Sequence, residues 1–283
     1  DAQKRTGKNC RVTFNYRYSP PRTQVKDILM NGDIGEVLSV DFQWLLNTQH
    51  GADYFRRWHA HKKNSGGLMV HKATHHFDLV NWWLGAMPTE VYATGKREFY
   101  TPEMARRMGL SGPHERCQTC PETAKCSFYM NLAASPGNKS LYLDQEHHDG
   151  YFRDRCVFRP GIDIEDNMNV LVKYDNGVNM NYSLNAFNAW EGYIINFNGT
   201  KGRLEHRIVE QIYTSGNDTV QGGIARGGVT TTLIPLRGGA ENIEPWSGEG
   251  SHGGGDQVML DDVFLDNPPA DKYFRNADQR AGA

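Results

Sequence analysis

The sequence predicts an α+β fold, an open and predominantly antiparallel β-sheet with helices on one face. Three observations carry this prediction. Residues 169–174 and 178–183 are two strand-like runs joined through Asn176 and Gly177, a strong short-range hairpin signal. A second pair of runs, Tyr193 to Phe197 and Arg203 to Glu205, flanks turn residues Gly199 to Gly202. Helical periodicity is confined to a few segments.

The elements run in order along the chain. A strand is expected near 10–14. Ser19 is placed to cap a helix over 21–31; Pro20 and Pro21 suit its first turn, and Val25, Ile28 and Leu29 give it a core face. Gly32 ends that helix, and 36–47 alternates as a strand. Residues 53–63 read as an aromatic, basic loop. Next comes a helix over 67–84, with Met69, Ala73, Phe77, Val80 and Leu84 as its apolar stripe and Gly85 closing it. A strand is expected over 89–99, and 101–160 reads as an irregular polar insertion. Ile208 to Tyr213 and Val229 to Ile234 are further strands, and Val258 to Phe264 is an apolar helical run.

At 283 residues the chain fits a single domain, 1–283, with a sizeable core. The formal charge is −2 with dispersed Lys and Arg, so no nucleic-acid partner is expected. No apolar run is long enough to span a bilayer, so no membrane partner is expected. There is no internal repeat.

Chemistry gathers on the second face of the 67–84 helix. His71, His75, Asp78 and Trp82 fall at i, i+4, i+7 and i+11, and Lys72 and Thr74 lie beside them. One such histidine is most simply a satisfied polar residue. Two, with a lysine and a carboxylate, read as a proton-transfer site, because imidazole titrates near working pH. A rival reading makes His71, His75 and Asp78 the ligand set of a metal-dependent hydrolase. Lys72 would repel that cation, and the Glu of an H-E-x-x-H motif is missing.

The loop holding Tyr54, Arg57, Trp58 and His61 suits a sugar, since aromatic faces and guanidinium donors match polyols. Cys117, Cys120 and Cys126, with Cys156 further on, suggest a structural zinc held by thiolates; His114, His147 or His148 could substitute. Their spacing departs from common zinc ribbons. Reduced thiols in a cytosolic protein, or disulfides in an exported one, are the alternatives.

The run from Gly66 and Gly67 through His71, His75 and Asp78 to Trp83, Leu84 and Gly85 resembles the catalytic-helix signature of the Gfo/Idh/MocA oxidoreductases. Phe14 to Pro20, then Gly32, Ile34 and Gly35, is similar to the opening of that family's second domain. His252, Gly253, Gly254 and Asp256 resemble the H-G-G-x-D loop of a subset. The family's first domain is a dinucleotide-binding Rossmann fold, but here no strand leads into G-x-G-x-x-G. Gly222, Gly223, Gly227 and Gly228 sit in a polar stretch, and the family's Glu-Lys-Pro lysine has no counterpart. The expectation is the substrate domain alone, short at both ends and inactive without its nucleotide domain.

The resemblance implies hydride transfer from a sugar, or a sugar-derived polyol or acid, to NAD or NADP. It makes His75 the acid/base. His71 stands where the family usually has Asp, so Lys72 could supply charge or a proton instead. Arg17, Arg57, Trp58, Thr74, Asp78, Tyr151, His252 and Asp256 are the substrate-side candidates. The bare sheet face implies a homo-oligomer, and the H-G-G-x-D loop leaves NAD-dependent glycoside cleavage as an alternative. A cytoplasmic location is expected, with periplasmic or exported placement left open.

Overall fold

Among the described residues, alternating side chains along eight strands sort the chain into one sheet with a core side and a half-open side. The computed structural model describes residues 2–8, 10–210, 228–249 and 254–282. The strands are β1 (Val37–Asn47), β2 (Pro88–Lys96), β3 (Asn167–Tyr174), β4 (Asn179–Asn188), β5 (Gly192–Gly199), β6 (Gly202–Val209), β7 (Val229–Pro235) and β8 (Glu241–Ile243). Their order is β2-β3-β4-β1-β5-β6-β7-β8. Every neighbouring pair is antiparallel except β1 with β4, which run parallel. The expected open, antiparallel-rich α+β fold is the one observed.

The core side is continuous. Val40, Phe42, Trp44 and Leu46 of β1 lie between Met180, Tyr182 and Leu184 of β4 and Tyr193, Ile195 and Phe197 of β5, all buried. Burying each such large apolar side chain stabilises the fold by roughly 1.5–3 kcal/mol. On the other side, Asn181 donates to Asp41 at 2.8 Å and Asn198 to Ser39 at 3.0 Å, so polar groups there satisfy one another. The β3–β4 turn is the expected one: Gly177 has φ 88°, and Asn176 accepts from the Val178 N–H.

The Pro20–Asn31 helix begins with its two prolines and ends at Gly32 (φ 74°), as expected. Ser19 does not cap it through its side chain; that oxygen accepts from Arg22 at 3.1 Å, and the Ser19 carbonyl takes the Thr23 N–H. This helix clamps its neighbour. Lys26 donates to the terminal carbonyls of Trp82 and Trp83 at 2.7 and 3.2 Å, and the Trp83 indole donates to the Arg22 carbonyl at 2.9 Å.

Four elements differ from expectation. The 67–84 helix is broken into Leu68–His71 and Thr74–Leu84. The Ala73 N–H bonds to the Leu68 carbonyl five residues back, inserting an extra residue into the turn and rotating the Thr74–Leu84 helix about its axis. Residues 53–63 are largely helical: Thr48–Arg56 is capped by the Asn47 side chain, and short turns cover Trp58–Ala60 and Lys62–Ser65. The strand near 10–14 is a single bridge between Val12 and Ala277. β2 stops at Lys96, because the Asp166 carboxylate accepts the N–H groups of Glu98, Phe99 and Tyr100 and turns the chain.

Ile208 and Val209 end β6, and 211–213 lie outside the described residues. The 101–160 insertion carries only short helices and one bridge, Arg116 to Arg155. Gly255–Phe264 is the late helix. Among the described residues no helix is long and apolar enough to cross a membrane.

Candidate functional site

The break at Lys72 and Ala73 decides what the signature residues can do. His71 and His75 no longer share a face. Lys72 turns inward, with Nζ 4.8 Å from the Trp44 ring centroid and 3.8 Å from Glu191 Oε1. Glu191, in the turn between β4 and β5, is almost fully buried and also holds His50 Nδ1 at 2.8 Å. His75, half-buried, has its ring 5.2 Å from Tyr16 and edge-on to Phe14 at 5.8 Å. Tyr16 lies 6.4 Å from Trp44, so Lys72 and His75 approach one aromatic floor.

A second set of groups backs that floor. Tyr16 donates to Glu210 at 3.1 Å, and Arg22 pairs with the other Glu210 oxygen while lying 4.0 Å from the Tyr16 ring. Burial, then the Glu210 charge, pushes the Tyr16 hydroxyl well up, so it stays a neutral donor. Burial alone would lower Arg22; nearby Tyr193, Glu210 and Tyr16 reverse this and hold its charge more firmly.

The aromatic segment read from the sequence as a sugar-binding loop forms helical turns. Tyr54, Trp58 and His59 gather around His71, with ring centroids 5.7, 5.6 and 4.5 Å from it. Trp58 is stacked on His59 at 3.8 Å and presents its other face outward. Arg57 donates to the Tyr151 hydroxyl and to Asp53, both at 3.4 Å. Burial, then the neighbouring His71, lowers His59 to about 4, and burial with Lys72 lowers His71 as well. Both imidazoles are therefore neutral near pH 7, the form that accepts a hydroxyl proton.

Other candidates fall elsewhere. Arg17 and Asp78 are buried against each other, so neither is open to a ligand. Thr74 opens the Thr74–Leu84 helix. Asp256 sits in the first turn of the Gly255–Phe264 helix, which abuts the Asn15–Tyr18 turn through Gly255. His252, and with it the loop behind the glycoside-cleaving alternative, lies outside the described residues.

The metal-hydrolase set is corrected. Among the described residues no three His, Cys, Asp or Glu side chains stand in ligating geometry. For His71, His75 and Asp78 the reason is plain: the helix break separates the histidines, and Arg17 takes both Asp78 oxygens. The four cysteines likewise form no finished ligand set.

Sequence reading missed His50, His59, Glu191, Glu210 and Arg22. For Glu191 a signal existed: a carboxylate between Trp190 and the strand-opening Gly192 and Tyr193, where a solvated acid is out of place. His50 had none, since its role depends on a partner 141 residues away.

Residues 26–231 match the family model described as "Oxidoreductase family, C-terminal alpha/beta domain". YteT of Bacillus subtilis (strain 168), which is named as an oxidoreductase, is 38% identical over 285 residues, covering 96% of this chain and 64% of YteT. The aldose-aldose oxidoreductase of Caulobacter crescentus, complexed with glycerol, matches at TM-score 0.53 and 12% identity over 95% of this chain and 58% of that one. A levoglucosan dehydrogenase in complex with NADH and L-sorbose matches at TM-score 0.53 and 16% identity, over 90% of this chain and 52% of its own. Likeness at those identities reports the fold. The chain spans less than two thirds of the length of each of these proteins.

Proposed function

The chain belongs to the Gfo/Idh/MocA oxidoreductase family through its C-terminal alpha/beta domain, and on that premise we propose that it binds and orients a sugar or sugar-derived polyol for NAD(P)-dependent oxidation. One observation carries this reading: His75 and Lys72 lie against one aromatic floor, Tyr16 and Trp44, while Tyr54 and Trp58 gather at His71 on the adjoining turn. Structures of the same fold bearing glycerol, or NADH with L-sorbose, are consistent with it.

The residues fit the reacting end of such a complex and not the dinucleotide's phosphates. Among the described residues no strand runs into a glycine-rich turn and helix of the phosphate-cradling kind. The phosphates would have to be gripped by a nucleotide-binding half, as the family implies. A bound nicotinamide supplies the hydride acceptor. This chain's residues do the rest. The Trp58 and Tyr54 faces exclude water from the sugar ring, His75 takes the hydroxyl proton, and Lys72, steadied by Glu191, places positive charge beside the oxygen that loses it. With His71 where the family has Asp, the charge beside His75 comes from Lys72 and Glu191.

Self-association belongs to the same reading. Tyr92 and Leu171, register partners on β2 and β3, stand exposed next to the half-open sheet face, a surface a second copy would cover. Sedimentation would show a monomer if that is wrong.

The test is His75→Ala, assayed with NAD(P) and a sugar panel in the protein joined to its nucleotide-binding half. Turnover falls by about 10²–10⁴-fold with the melting point unchanged. Unaltered turnover removes His75 from proton transfer.

A further inference from the structure

We propose that Cys117, Cys120, Cys126 and Cys156 form a tetrathiolate site for one zinc-class divalent cation, which cross-links the 101–160 insertion where it meets Arg56 of the Thr48–Arg56 helix. The site is independent of the oxidoreductase reading. All four cysteines line one open-mouthed cavity, together with Arg56 and His114.

Each sulfur already has a donor. Glu122 N–H reaches Cys120 Sγ at 3.4 Å, Phe128 N–H reaches Cys126, and Phe158 N–H reaches Cys156. In all three the donor is the amide two residues on, the geometry of a metal-binding knuckle. The fourth sulfur, Cys117 Sγ, accepts from the Arg56 guanidinium at 3.4 Å. Neutral thiols are weak acceptors and need no such provision. Four thiolates around a dication leave two negative charges, which three amides and a buried guanidinium would stabilise.

The sulfurs are not yet converged. All are free thiols, and Cys117 still points toward the Phe128 carbonyl at 3.9 Å. Binding turns the side chains about their Cα–Cβ bonds into the cavity, forms four metal–sulfur bonds and releases four thiol protons. His114 Nε2 is 3.4 Å from Glu122, which engages it elsewhere. Arg56 also donates to the Arg155 and Phe128 carbonyls, so the staple acts where the insertion meets the helix.

The test loads the reduced, chelator-stripped protein with cobalt(II). Intense visible bands of tetrahedral cobalt, with sulfur-to-metal charge transfer, are expected at one cobalt per chain and vanish on adding zinc. Cys126→Ser and Cys156→Ser lose the bands, and Cys10→Ser keeps them. A weak octahedral spectrum from the unaltered chain overturns the proposal even if the serine variants fail to fold. So does iron–sulfur absorption in the protein as isolated, or a mass showing the four thiols joined as disulfides.

Discussion

Arg17 and Asp78 meet in a two-pronged ion pair, Nε to Oδ2 at 2.8 Å and Nη2 to Oδ1 at 2.5 Å, sealed from solvent. The pair fastens the Asn15–Tyr18 turn, which carries Tyr16, to the helix that carries His75. Asp78→Asn leaves a buried guanidinium uncompensated and is expected to cost about 3–5 kcal/mol of unfolding free energy in urea titration. Replacing both by Met and Leu recovers most of that. A loss below about 1 kcal/mol in Asp78→Asn would show that water already reaches the pair.

Glu191 serves two partners. Lys72→Met and Glu191→Gln are each expected to lower stability, and together by less than their sum. The coupling in a double-mutant cycle should exceed about 0.5 kcal/mol. Strict additivity would mean that Lys72 takes its position from Trp44 alone.

Acid sensitivity arises from the buried histidines. Burial is the leading cause that lowers His206 to about 3 and His59 to about 4, and it also depresses His76 well below the ordinary value of 6.5. Above 6.5 both folded and unfolded chains carry these rings neutral, so stability is level. As pH falls below 6.5 the unfolded chain binds protons that the folded chain refuses. Stability therefore drops, and the loss saturates only below about 4 for His59 and about 3 for His206. Urea midpoints at neutral pH and at about pH 5 measure this. Equal midpoints would place the rings in contact with water.

The sheet was legible because its rules are local. Alternation and the Asn176–Gly177 turn need only neighbouring residues, and they located β3, β4, β5 and β6. The Thr48–Arg56 helix was hidden by Gly51, which is there for a tertiary reason: a Cβ would lie 1.9 Å from the Ala186 carbonyl oxygen. The signature helix was visible in outline, but its break was not, since one hydrogen bond from Ala73 to Leu68 sets it and periodicity carries no trace of that. The site was half legible. Residues on one segment, His71 to His75, could be found by spacing; Glu191 lies in the turn before β5 and Glu210 just past β6, distant in sequence from that segment.

The parallel pairing of β1 with β4 has a consequence for how the molecule assembles. β1 is one of the sheet's two central strands, yet both its neighbours arrive late: Asn181 bonds to Asp41 across 140 residues. Until β4 and β5 have been synthesised, β1 has no strand to pair with. Closing so long a loop is slow. β3–β4 and β5–β6 can each zip as hairpins first, leaving a slot between them. Docking β1 in that slot would then be the late, rate-limiting event, and Val40, Phe42 and Trp44 would stay exposed to chaperones until it occurs.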